Sequence, residues 1–378
     1  MATVTAGQGT ANGTANGTGR VAAGSPEEAA RLAWVDVAKG LCIILVVMMH
    51  STLGTGIAME GEGFLHTVVA FARPFRIPDF FLLSGLFLGR VIDRDWRLFL
   101  DRRLVHFVYF YVLWVLIQSA FKYGPITDGA GPGAFAAHLA LAVVEPYSTL
   151  WFIYLLAVFS VLTKALRSVP TAWLLGGAAL LQVLPIHTGL ELIDEFCDRY
   201  VWFLVGYLFA ARIFTFADRV QRHPRAALLG LALWAVVNAA LVFVPTGIRA
   251  VPVLANLPGL ALVLSGAGAL AIVAIGALMS RAGGPVTAAL RACGQRSIVI
   301  YLAFFLPMAL TRTLIVKSEA IADIGLASLV VTVVAILVPL AFERMIRHTR
   351  LSFLFVRPRA FHIVGARPRP GAAALRTV

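Results

Sequence analysis

Long apolar runs, broken by short stretches that carry most of the arginines, dominate this chain and restrict it to structures that lipid can solvate. Hydrophobic residues make up 60% of its 378 positions and charged residues 13%, about half the ~25% usual in soluble domains. A soluble core of this size could not hide so much apolar surface, whereas a bilayer accepts it. Ten runs stand out: 35–55, 76–91, 104–121, 149–166, 171–186, 198–214, 226–245, 253–279, 297–316 and 325–345. Several fall short of the ~20 residues of a perpendicular helix, and 76–91 is the weakest, readable also as re-entrant or as reaching back through 64–72.

The basic residues orient these runs. With the N-terminus inside, 25 of the 32 Lys and Arg fall in inner segments and 7 at or beyond the outer face. This is the positive-inside pattern, and one span more or fewer would break it. The expected fold class is therefore all-α: a polytopic transmembrane helical bundle of about ten spans with both termini cytoplasmic. The formal net charge of +13 follows from topology, since no basic stripe interleaved with aromatics points to nucleic acid. The chain divides into a low-complexity tail over 1–30, a membrane domain over 31–346 and a basic tail over 347–378. The first tail carries two sequons, at Asn12 and Asn16, read as chance matches, and no cleavable signal peptide. The last is read as a solvated segment that meets anionic lipid. Cys42, Cys197 and Cys293 have neither metal-ligand spacing nor a disulfide pattern, so no metal is expected.

The first run holds the candidate chemistry. In Trp34-Val-Asp-Val-Ala-Lys-Gly, continuing to His50-Ser51, Asp36, Lys39 and His50 punctuate an apolar helix. Lys39 and His50 are separated by three turns to within about 20° and by ~16 Å along the axis, so they share one face. Asp36 lies within about 60° of Lys39. Ionisable groups in hydrocarbon are expensive and point to function. Each has a bland alternative: Asp36 and Lys39 as a snorkelling ion pair, His50 as a histidine hydrogen-bonded to a neighbouring helix. A neutral imidazole at this depth could instead take a proton from a hydroxyl.

At these residues the chain resembles the integral membrane acyltransferase family 3, which O-acylates sugars and other hydroxyl compounds, often on the cell envelope. The resemblance rests on a basic residue followed after ten residues by His, here Lys39 and His50. It continues through Pro78-Asp-Phe-Phe-Leu-Leu-Ser84-Gly85, Leu150-Trp151-Phe152-Ile-Tyr-Leu-Leu and Ser297-Ile-Val-Ile-Tyr301-Leu, in the family's order. There are departures. The family's Arg-x-x-Arg before the third helix is here Arg103-Leu-Val-His106, and Ala303-Phe304 stands where many members have His. No appended extracellular domain is expected.

The resemblance implies an acyltransferase of the plasma membrane that moves an acyl group, by family analogy acetyl, from cytoplasmic acyl-CoA to a sugar or other exported acceptor. Its implied partners are the bilayer, acyl-CoA and that acceptor, with no permanently bound cofactor. Lys39, Arg102, Arg103 and His106 would meet the phosphates of the donor. His50 would act as general base or acyl carrier, and Asp36 would orient Lys39. Arg73, Arg76, Ser84 and Trp151 would line the acceptor's path, Ser84 and Trp151 without a catalytic part, while Arg73 and Arg76 read equally well as snorkelling groups at the outer interface. The acidic stretch Glu191–Arg199 reads as a solvated outer loop, the alternative being contact with a sugar hydroxyl or a cation. A transporter or flippase, or a non-catalytic scaffold, fits the span count and charge equally well. The ordered motifs favour the enzyme.

Overall fold

The computed structural model describes residues 26–248 and 251–363. The two sequons, Arg249 and the end of the basic tail lie outside them. Almost every described element is a helix. One short antiparallel hairpin, Pro245–Ile248 with Val251–Val253, is the exception among the described residues.

The first helix, α1 (Pro26–Ala58), starts inside the segment read as tail. Two short helices follow, α2 (Phe64–Ala72) and α3 (Pro78–Gly85). Next come α4 (Trp96–Phe121), with a π turn over Asp101–Val105, and α5 (Trp151–Ala165). They are joined through two small helices, Tyr123–Thr127 and Pro132–Leu141. Then follow α6 (Thr171–Val183), α7 (Glu191–Leu208), α8 (Ala210–Arg222) and α9 (Pro224–Phe243). The last five are α10 (Pro258–Ala282), α11 (Gly284–Gln295), α12 (Ser297–Ala303), α13 (Phe305–Ser318) and α14 (Ile324–Ile346).

Six of these, α1, α4, α5 with its preceding turn, α9, α10 and α14, are long and apolar enough to cross a membrane. Two bent pairs, α7–α8 at 74° and α12–α13 at 52°, raise the number to eight if each pair is one span. Two of the ten expected runs are not long helices. The run 76–91 breaks after Gly85 into a 3-10 turn at Leu88–Arg90, and α6 has only 13 residues. The run 198–214 is cut at Phe209, and its helix begins earlier, at Glu191. The acidic stretch read as a loop is therefore the first turns of α7.

The hub is α1, which packs against α10, α11 and α14. Its approach to α11 is backbone on backbone. A Cβ on Gly40 would stand 1.9 Å from the Leu290 carbonyl oxygen, and one on Gly294 would stand 1.7 Å from that of Asp36. Gly85 and Gly206 bring α3 and α7 together in the same way, with hypothetical Cβ contacts of 2.2 Å to Phe203 O and 2.0 Å to Leu82 O. Lipid exerts no hydrophobic force between helices, so such close packing is what holds them. By contrast α9 shows Leu228, Leu229, Leu233 and Val236 outward. Only Asn238 is buried in it, its Nδ2 donating to Phe71 O at 2.9 Å. That is the surface expected of a helix facing acyl chains.

The basic C-terminal segment is not wholly solvated. Arg357 donates to the Asp101 carbonyl at 2.6 Å and to Asp101 Oδ2 at 3.0 Å, and the Ile363 amide donates to Asp101 Oδ1 at 2.8 Å. Tyr109 and Trp114 of α4 donate to the carbonyls of Phe353 and Leu354. The segment thus straps α4 at its π turn.

Gly294→Ala is expected to destabilise the protein by ~1–3 kcal/mol through backbone overpacking. Gly230→Ala on α9, where nothing lies within 4 Å of the added Cβ, should raise stability by up to ~1 kcal/mol through helix propensity. Thermal unfolding of the purified protein in detergent checks both.

Candidate active site

Two adjoining cavities lie along the face of α1 that carries Lys39 and His50. The first, about 320 Å³, is lined by Lys39, Ser84, Arg103, Ser160 and Ser297 among apolar side chains. The second, about 200 Å³, is lined by His50, Thr149, Trp151 and Glu195 with Ile43, Val46, Met49 and Ile77. Phe80, Phe152 and Tyr301 line both. The three-turn spacing of Lys39 and His50 thus places one basic group in each chamber, on one wall.

Each side chain has a local reason for its place. The Lys39 ammonium stands 5.2 Å over the Phe87 ring, a position that shields a cation from hydrocarbon. Arg103 comes from the π turn of α4, and its Nη2 donates to Phe87 O at 3.4 Å. One extra residue per turn there re-aims the side chains that follow, as π turns do at functional sites. The turn is fixed from outside by the buried Arg357–Asp101 pair. Ser84 donates to Phe80 O at 2.7 Å, which leaves it a wall group. The Tyr301 hydroxyl donates to the carbonyl of Thr149 and ties α12 to the start of α5.

His50 packs beside Phe304, with ring centroids 5.6 Å apart. Among the described residues neither of its ring nitrogens makes a hydrogen bond or an ion pair. The bland alternative, a histidine bonded to a neighbouring helix, is therefore not what α1 holds. A ring with free nitrogens facing a cavity is available to a ligand. Arg76 stands close enough to His50 for their charges to interact. It donates to Val69 O at 3.0 Å and has no carboxylate partner among the described residues. Arg199, whose charge acts on Arg76, is held by Glu195 at 2.9 Å, so one of these two guanidinium groups is neutralised and the other is not.

Several expected site residues stand elsewhere. Asp36 lines neither cavity; Gln295 donates to its Oδ2 at 3.0 Å and Arg291 stands 3.8 Å away, both on α11. No ion pair to Lys39 within 4 Å forms among the described residues. The short Asp36 side chain reaches the helix packed against it before it reaches along its own. Arg102 is exposed and lines neither cavity. His106 packs on Phe107 and Phe110 outside the cavity. Arg73 is exposed. Ser84 lies in the Lys39 chamber and Trp151 in the His50 chamber. Phe80 and Phe152 were not expected as site residues, and Glu195 only as part of the acidic stretch; tertiary packing is what brings α3, α5 and α7 together. Among the described residues no group of His, Cys, Asp and Glu could hold a metal ion.

A family profile described as an acyltransferase domain matches residues 32–344. The chain belongs to acyltransferase family 3. Membership makes it a multi-helix membrane protein of an O-acyltransferase family. It is similar to inner membrane protein YcfT of Escherichia coli (strain K12), 27% identical over 159 residues that cover 35% of this chain and 43% of that protein. The match thus spans less than half the relative's length. No solved structure matches.

Arg357→Ala would leave the buried Asp101 carboxylate unpaired beneath the strap. The expected cost is ~3–5 kcal/mol. Replacing both partners with apolar residues should cost less, and unfolding of the two variants side by side checks the order.

Proposed function

We propose that the protein transfers a short acyl group, acetyl by family analogy, from cytoplasmic acyl-CoA to a hydroxyl of a sugar or other exported acceptor. The observation that carries this reading is an unpartnered His50 in one chamber with Lys39 and Arg103 in the next. Lys39 and Arg103 would pair with the donor's phosphates. The extended pantetheine arm would run along α1 toward His50, a distance of ~16 Å. Arg102 and His106, at the mouth of the same helix, would meet the nucleotide end.

The acceptor would enter the His50 chamber from the opposite side. Trp151 offers a flat apolar face, and Thr149 Oγ1, buried and without a partner, offers a hydrogen-bonding group. The acceptor oxygen attacks the thioester carbonyl as its proton passes to the His50 imidazole. The C–O bond forms and the C–S bond breaks. The departing thiolate then takes the proton back from the imidazolium. Arg76, lacking a carboxylate and close enough to act on His50, would stabilise negative charge on the tetrahedral carbonyl oxygen. Asp36 would act at one remove, by tethering the Lys39 end of α1 to α11.

The positive-inside count supports ten crossings with both termini cytoplasmic, in the plasma membrane. On that reading α6, and α2 with α3, complete the eight spans counted by length. Lys39 and Arg103 then face the cytoplasm, where acyl-CoA is made.

In cells lacking the gene, wild type should restore an envelope-linked or exported acyl ester. His50→Ala, present in the membrane in equal amount, should restore ~10²–10⁴-fold less. Mass spectrometry of saponifiable acyl groups reads the result. Equal restoration by His50→Ala would remove His50 from the mechanism. No ester with either protein, accompanied by substrate flux, would favour transport.

A further inference from the structure

The two chambers share one wall, and it is built from three aromatic rings in sequence. Phe80 of α3 meets Phe152 of α5 edge to face, centroids 4.8 Å apart at 76°, and Phe152 meets Tyr301 of α12 at 5.5 Å and 62°. Phe152 is braced from behind by Phe81 at 4.5 Å. Tyr301 is locked by its hydroxyl on the Thr149 carbonyl. Edge-to-face packing of this kind is favourable beyond the area it buries, so the wall has a defined shape. No lining residue other than these three belongs to both cavities.

Resting on the donor reading above, we infer that Phe80, Phe152 and Tyr301 select the length of the acyl chain. A thioester bound by its phosphates at Lys39 and Arg103 reaches His50 only past these rings. Whatever extends beyond its carbonyl must then fit the 200 Å³ chamber together with the acceptor's hydroxyl. Ile43, Val46, Met49 and Ile77 close that chamber from the α1 and α3 sides. A short acyl group leaves room for the acceptor. A longer chain must push Phe152 off Phe80 and Tyr301, and overpacking of a braced aromatic wall is unfavourable. The rings exclude by shape, and the wall carries no charge. The discrimination therefore falls on chain length, over and above whatever contact the rings make with the pantetheine arm that passes them.

The test measures binding of free CoA, acetyl-CoA and hexanoyl-CoA to the full-length protein in lipid nanodiscs, for wild type, Phe152→Ala and Phe80→Leu. Wild type is expected to prefer acetyl-CoA over hexanoyl-CoA by at least about tenfold, since single methylenes are discriminated by ~10–200-fold in such pockets. Phe152→Ala should lower or reverse that ratio by tenfold or more, each acyl-CoA affinity being taken relative to that of free CoA in the same variant, because the pantetheine arm passes the same rings. Phe152→Leu serves if the alanine variant does not fold. Hexanoyl-CoA binding wild type as tightly as acetyl-CoA would overturn the inference. So would an unchanged ratio in both ring variants that still bind free CoA. Failure of free CoA to bind wild type at all would instead sink the donor reading, and the length selector with it.

Discussion

Backbone-to-backbone packing of α1 on α11, made possible by Gly40 and Gly294, is the contact on which the rest of the arrangement depends. It fixes the rotation of α1 about its axis. Because Lys39 and His50 share a face by spacing alone, fixing that rotation fixes both at once. One side of α1 is used up by α10, α11 and α14. The other side is left to the two cavities, and there an ionisable group can sit without paying the full cost of hydrocarbon. Gly85 and Gly206 do the same for α3 and α7, and so bring Phe80 and Glu195 to the opposite wall.

The site is polarised along the helix. Arg103 and Lys39 stand in one chamber, and His50, with Glu195 in the same chamber and Arg76 close by, marks the other end. A charged, phosphate-bearing donor and a hydroxyl acceptor have different requirements, and the layout separates them. The strap from residues 350–363 stiffens the π turn that aims Arg103. A segment far from the chemistry in sequence therefore contributes to the geometry of the donor end.

Much of this was legible in the sequence where it depended on local spacing. The helical period put Lys39 and His50 on one face, and hydropathy located the six long helices. The order of short motifs named the family. What sequence did not reveal depended on partners distant in the chain. Asp36 looked like a neighbour for Lys39 at three-residue spacing, yet Arg291 and Gln295 claim it across the α1–α11 contact. Glu191–Arg199 looked like a loop because it is acidic, yet Arg199 on Glu195 four residues earlier stabilises it as helix. Arg357 looked like one more tail cation because its acceptor, Asp101, lies 256 residues away. The run 76–91, marked by hydropathy as the weakest and open to a re-entrant reading, breaks after Gly85.

The most direct test of the account is a cryo-electron microscopy structure of the protein in nanodiscs with a non-transferable S-ethyl thioether of CoA. The account predicts the phosphates at Lys39 and Arg103, the arm along α1, and the sulfur beside the His50 ring. A nucleotide bound in the His50 chamber, or a sulfur that stays on the Lys39 side of Phe80, Phe152 and Tyr301, would contradict it.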